Sequence, residues 1–301
     1  MYIDDALLTK EEKTALALRK LYSEAGYDCF RMNKFETYDL YMRNKDFLVS
    51  EAVIAFTDTN GRMMALKPDV TLSIVKNSRY SAGHPVRLYY DEKVYRPGRR
   101  GDPFREITQI GLEILGDIGT AETGEALSLA AETLKTVSAD YVLDISCTEL
   151  LSGVLDEMGA QGEVRIALLG CVSQKALHEV ERICLESGIG PEGSALLKTL
   201  LSCEGEAKPA ADRLEASLPF PWAAKSARLL RDVLSITGEE RIRLDLSVQS
   251  DMRYYNGIVF SGFVPGVPEA VLRGGQYGRL LKRMGKEGSA IGFALYPDLL
   301  D

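Results

Sequence analysis

Two hydrophobic periods divide the chain. Near its start, Thr9-Lys10-Glu11-Glu12 is a capping box, with the threonine hydroxyl bonding a first-turn amide and Glu12 reaching back. The apolar positions Leu16, Leu18, Leu21 and Ala25 then run to a stop at Gly26, which predicts a helix over about 10–25. Period two follows. Thr59-Asn60-Gly61 separates the strand-like stretch 52–56 from 63–66, a hairpin signal. Leu66-Lys67-Pro68-Asp69-Val70-Thr71 leads from this hairpin into a helix over 71–80, so Asp69 and Thr71 stand where strand meets helix. Stretches 86–95 and 107–115 are apolar-rich and joined by a loop containing Pro97, Gly98, Gly101 and Pro103, which predicts neighbouring antiparallel strands. In the second of them, alternation puts Ile110, Leu112 and Ile114 on one face and Gln109, Gly111 and Glu113 on the other.

The remainder begins with an Ala- and Leu-rich helix at 120–137, with Glu122 and Glu125 near its start. From Cys147 to Thr237 the pattern is almost wholly helical. Leu150, Leu151, Val154, Leu155 and Met158 share one face, as do Leu177, Val180, Ile183 and Cys184; Leu196, Leu197, Leu200 and Leu201; and Leu230, Val233 and Leu234. Pro191 suits a first helical turn, and Gly188 and Gly238 suit helix ends. Strands resume at 243–249, where Leu244, Leu246 and Val248 alternate with Asp245, Ser247 and Gln249, and again at 257–264. Between them stand Tyr254 and Tyr255; in an extended chain adjacent residues point to opposite faces, so at most one ring reaches a given pocket. Gly274-Gly275-Gln276-Tyr277-Gly278 leads into 279–284, and 290–295 reads as a closing strand or the start of a buried helix. The fold class is α+β: a mostly antiparallel sheet flanked by helices, with a helical insertion at about 147–238.

Composition narrows the function classes. The 301 residues are 46% hydrophobic, enough for a full core, and no run approaches the roughly 18 apolar residues of a membrane span. The acidic N-terminus lacks the basic start and apolar core of a signal peptide, so a cytoplasmic location is expected. Five cysteines, widely scattered and without CxxC spacing, indicate neither a disulfide framework nor a zinc site. With 36 basic and 44 acidic residues the net charge is -8, which opposes non-specific nucleic-acid binding. The loop carrying Arg96, Arg99, Arg100 and Arg105 is the one candidate basic patch.

The polar face of the 107–115 strand looks built to hold a ligand. Gln109 and Glu113 accept hydrogen bonds and can offset a positive charge, and Gly111 between them removes a side chain that would block a small molecule. The plainer reading is a strand with one wet face.

In order along nearly the whole chain, LKPDVT, the strand-loop-strand ending TQIGLE, DMRYYNGIVF, GGQYG and AIGFAL resemble the class II aminoacyl-tRNA synthetase core, and within it the histidyl branch. The resemblance implies a histidine pocket: Asp69 at the ammonium with Thr71 nearby, Gln109 and Glu113 on the floor, and Tyr254 or Tyr255 beside the imidazole. It also marks departures. Arg96 stands at the α-phosphate arginine, but Gly98 replaces the glutamate for adenine and Ser250 the branch's activating arginine. Arg253 stands where the pattern is acidic, and Asn33 where motif 1 has proline. The chain ends after AIGFALYPDLLD, before the motif 3 arginine and any anticodon-binding domain.

Adenylate formation requires neutralised phosphate charge. No catalytic residue, cofactor or metal is therefore expected, and Arg96 and Arg105 are left as candidates for residual anion binding. A histidine pocket without adenylation resembles the regulatory subunit of ATP phosphoribosyltransferase. That family implies a homodimer within a hetero-oligomer, which activates a short catalytic subunit and senses histidine as effector, with no tRNA and no membrane. Two alternatives stand beside it: a histidyl-tRNA synthetase-like amino-acid-activating enzyme, and an adaptor with a vestigial pocket.

Overall fold

The computed structural model describes residues 7–48, 52–80, 83–97, 104–238, 241–248 and 255–300. In chain order its elements are α1 (Lys10–Glu24), β1 (Asp28–Cys29), β2 (Phe35–Thr37), α2 (Tyr38–Arg43), β3 (Ala55–Thr57), β4 (Met63–Leu66), α3 (Thr71–Asn77), β5 (Val86–Pro97), β6 (Phe104–Gly116), α4 (Thr120–Val137) and β7 (Val142–Cys147). Then follow α5 (Thr148–Glu157), α6 (Gly162–Ser173), α7 (His178–Glu186), α8 (Pro191–Ser202), β8 (Gly205–Glu206), α9 (Ala207–Ser217), α10 (Pro221–Thr237), β9 (Ile242–Leu244), β10 (Ile258–Phe263), β11 (Leu272–Tyr277), α11 (Arg279–Arg283) and β12 (Ser289–Leu295).

The capping box forms as its residues dictate: Glu12 N donates to Thr9 Oγ1 at 3.2 Å and Thr9 N donates to Glu12 Oε2 at 2.8 Å. Gly26 ends α1 with φ 86°. Nine strands make the main sheet in the order β1-β5-β6-β12-β11-β10-β7-β9-β8, and β2-β4-β3 make a small second sheet. All described pairings are antiparallel except β1 with β5 and β7 with β9. A parallel pair needs a crossover, and α5 to α10 provide it between β7 and β9.

One face of the main sheet is apolar and lies under helices. Ile110, Leu112 and Ile114 of β6 join Ile291 and Phe293 of β12, Phe260 of β10 and Leu143 of β7 in one core with Leu127 of α4, Leu150 of α5 and Leu230 of α10. Each such side chain, fully buried, contributes about 1.5–3 kcal/mol. The opposite face of β6, β12 and β11 is where polar groups collect.

Four expectations change. The stretch 243–249 is strand only through Leu244, because Ser247 N and Oγ both donate to Asp245 Oδ1, at 2.8 and 2.5 Å, and turn the chain away; Gln249 lies outside the described residues. The helix of 71–80 stops at Asn77, and the strand of 52–56 is displaced to β3. β5 and β6 run further than their apolar cores, so Arg96 and Arg105 face each other across two strands rather than sharing a loop. The stretch 290–295 forms a closing strand, one of the two forms expected of it, as β12. All five cysteines are free, four of them buried, and no helix among the described residues is long and apolar enough to cross a membrane.

Candidate functional site

Strand register assembles the site. Glu113 of β6 opposes Gly292 of β12, Gly292 opposes Gly275 of β11, and Gly275 opposes Val259 of β10. The two glycines are needed here. A Cβ on Gly292 would fall 1.8 Å from Glu113 Oε2, and one on Gly275 would fall 2.7 Å from Cδ1 of Tyr255. One absent side chain therefore lets the Glu113 carboxylate lie across β12, and the other lets the Tyr255 ring lie over β11. Gly111 acts differently from the expectation that it opens a floor for a ligand. The space its Cβ would take is already filled by the Phe293 carbonyl oxygen at 1.9 Å and the Tyr90 hydroxyl at 2.9 Å, so this glycine serves close packing of the protein on itself.

Around Glu113 the hydrogen bonds converge. Thr71 Oγ1 donates to Oε1 at 2.8 Å and the Tyr277 hydroxyl donates to Oε2 at 2.7 Å. The residue is 2% exposed. Burial pushes its carboxyl up to about 8, against those two hydrogen bonds and helped by the charge of Asp69. Asp69 is itself buried, and burial raises its carboxyl too, opposed by the Arg96 guanidinium and by the Leu72 and Thr71 amides. Leu72 N donates to Asp69 Oδ1 at 2.9 Å, and Arg96 Nη2 lies 3.7 Å from Asp69 Oδ2 while Arg96 Nε donates to the Pro68 carbonyl at 2.7 Å.

Gln109 is 4% exposed, and its side-chain amide has no hydrogen-bond partner among the described residues. Neither amide atom is among the enclosed side-chain polar atoms left without a partner in the described residues, so the Gln109 amide reaches solvent on the polar face, where it can donate and accept. Burial also pushes the Tyr255 phenol up, with Glu113 and Asp69 acting in the same direction. The structure thus gathers Asp69, Thr71, Gln109, Glu113 and Tyr255 on one side of the sheet, with Arg96 beside Asp69. Arg105 is exposed. Tyr254, Ser250, Arg253, Gly98, Arg99 and Arg100 lie outside the described residues.

Sequence reading missed several members. Tyr277 sits two residues beyond Gly275 on β11, so alternation through GGQYG would have put it on the polar face. Gln276, on the other face, donates to Thr123 Oγ1 and accepts from Ile258 N, both at 2.9 Å, and is structural. Tyr90, fully enclosed over Gly111, and the ion pair of buried Lys67 with Glu92 carried no sequence signal of their own.

Two buried carboxylates beside phenols, with one guanidinium already shared with Asp69, suit a small cationic ligand. A family model described as histidyl-tRNA synthetase matches residues 3–300. A relative from Moorella thermoacetica, named ATP phosphoribosyltransferase regulatory subunit, is 31% identical over 301 residues, covering 93% of this chain and 76% of its own. This chain belongs to the histidyl-tRNA synthetase family, in its ATP phosphoribosyltransferase regulatory subunit branch. The fold agrees across solved members. An ATP phosphoribosyltransferase regulatory subunit/histidyl-tRNA synthetase from Bacillus halodurans C superposes with a TM-score of 0.82 at 22% identity, covering 99% of this chain and 80% of that one. A chain of the ATP phosphoribosyl transferase (HisG:HisZ) complex from Thermotoga maritima gives 0.74 at 17% identity, covering 98% of each.

Proposed function

We propose that this chain is the non-catalytic regulatory subunit of an ATP phosphoribosyltransferase, acting in the cytoplasm as a homodimer within a hetero-oligomer. In this reading it binds and activates a short catalytic subunit in the first step of histidine biosynthesis and senses histidine as feedback inhibitor. The names of its relatives support the regulatory role. Support for the effector comes from one observation: Glu113, buried and held by Thr71 and Tyr277, lies near Asp69 on the sheet face that also carries Gln109. Histidine offers an ammonium for Asp69 and an imidazole for Glu113 and Tyr255, and its carboxylate can accept from the Gln109 amide. Binding inhibits by linkage, because an effector that prefers the less active assembly draws the population toward it.

The test is calorimetric titration of the chain with L-histidine, paired with assay of phosphoribosyl transfer when the chain is mixed with the short catalytic subunit. Saturable histidine binding and stimulated transfer are expected; absence of both removes the reading. A second reading, an amino-acid-activating enzyme, draws on Arg96, which the fold places on the ligand face beside Asp69. Histidine-dependent exchange of pyrophosphate into ATP by the isolated chain would establish that reading in place of the first.

A further inference from the structure

The site described so far offers the carboxylate of an amino acid the Gln109 amide, but no cation that is free of an internal partner. Arg96, the cation beside Asp69, is already engaged with the Pro68 carbonyl and the Asp69 carboxylate. Strand register supplies another cation. Gly111 of β6 opposes Ala294 of β12, Ala294 opposes Arg273 of β11, and Arg273 opposes Ser261 of β10. This row is two residues along from the row of Glu113, Gly292, Gly275 and Val259, so it lies on the same face of the sheet.

Arg273 is exposed between buried Leu272 and buried Gly274, and no carboxylate among the described residues pairs with it. Arg243, which shares this face farther out, lies 3.8 Å from Asp144. From Arg273 the row crosses the methyl of Ala294 and reaches, two strand spacings of about 4.8 Å away, the Tyr90 hydroxyl that lies over Gly111. A long arginine stem can therefore lie over β12 and bring its guanidinium toward the face shared by Gln109 and Glu113. The planar fork of five N–H donors matches a carboxylate, and Arg273, which no carboxylate among the described residues holds, breaks no ion pair there to make that contact.

We propose that Arg273 binds the α-carboxylate of the amino acid whose ammonium and ring are held by Asp69 and Glu113, and so selects a free amino acid over the corresponding amine. This rests on the histidine reading of the site. Titration of the full chain with L-histidine and with histamine, which keeps the imidazole and ammonium but lacks the carboxylate, tests it. Wild type should bind histidine roughly ten- to a hundred-fold more tightly than histamine, the usual range for a charge-assisted contact. Arg273→Gln should erase that margin by weakening histidine alone, and Arg273→Lys, which restores the charge without the fork, should recover part of it. Arg96→Gln, acting through Asp69, should weaken both ligands. Unchanged histidine affinity in Arg273→Gln, or equal weakening of both ligands, overturns the assignment while leaving the histidine reading in place. A wild type that binds neither ligand overturns both. Because Arg273 is exposed and unpaired, its variants should melt as the wild type does, which separates loss of affinity from loss of fold.

Discussion

Glu113 is held in an environment that opposes its own charge, and pH therefore acts on both folding and binding. Its carboxyl is raised from 4.5 to about 8 by burial. The folded chain keeps a proton that the unfolded chain releases once pH passes about 4.5, so stability from this group is intact below that value and falls as pH rises toward 8. Glu113→Gln keeps the volume and removes the titration. Thermal melts should show the variant gaining on the wild type between pH 5 and pH 8, and a pH-independent difference would mean that Glu113 is not shifted. A cationic ligand reverses the balance by favouring the ionised carboxylate. At pH 7 the free imidazole is mostly neutral, so the Glu113 proton can pass to the bound ring inside the complex, a transfer that Glu113→Gln cannot make. The same substitution removes a charge-assisted contact of about 1.5–3 kcal/mol, so histidine should bind roughly ten- to a hundred-fold more weakly.

At the scale of elements, β12 matters to the site through what it lacks. A methyl on Gly292 would meet Glu113 Oε2 at 1.8 Å and the Leu112 carbonyl oxygen at 2.5 Å, the second of which is backbone and cannot move aside. Gly292→Ala should cost about 1–3 kcal/mol in urea unfolding and should abolish histidine binding by driving the carboxylate off Thr71 and Tyr277. Binding at wild-type strength would show that the Glu113 position seen here is not the one that binds. How much of this was legible follows from what periodicity encodes. Alternation along β6 placed Gln109 and Glu113 on one face, and the capping box and four helical stripes located their helices, because those signals are local. The contact of Tyr277 with Glu113 spans 164 residues, and the role of Gly292 exists only once β12 is laid against β6 in register. Periodicity says which face a residue takes within its strand and not which strand lies beside it. The alternation after Leu244 misled for the opposite reason: Asp245 offered Ser247 a local side-chain partner that outcompeted strand pairing.

Across the whole molecule, the sheet separates two tasks. Its helix-covered face holds the apolar core, while its polar face gathers Asp69, Thr71, Glu113 and Tyr277, which in the regulatory reading hold a ligand and perform no reaction on it. Such a chain acts through contact, and its effect is a coupling free energy between the site and a partner's active centre. Couplings of this kind are typically 1–3 kcal/mol, which corresponds to about 5- to 150-fold in affinity. Mixing the chain with the short catalytic subunit should produce a co-eluting complex on a sizing column and raise the rate of phosphoribosyl transfer to ATP. Added histidine should lower that rate. Linkage requires that whatever factor Glu113→Gln or Asp69→Asn costs in histidine affinity reappear in the complex as the factor by which half-maximal inhibition moves to higher histidine concentration. Plotting the two factors against each other for these variants and for Arg273→Gln should give a line of slope one through the wild type. Inhibition that stays at the wild-type concentration while affinity in the isolated chain falls would place the inhibitory histidine elsewhere, in the catalytic subunit or between subunits, and would leave the polar face of β6 and β12 without a regulatory role.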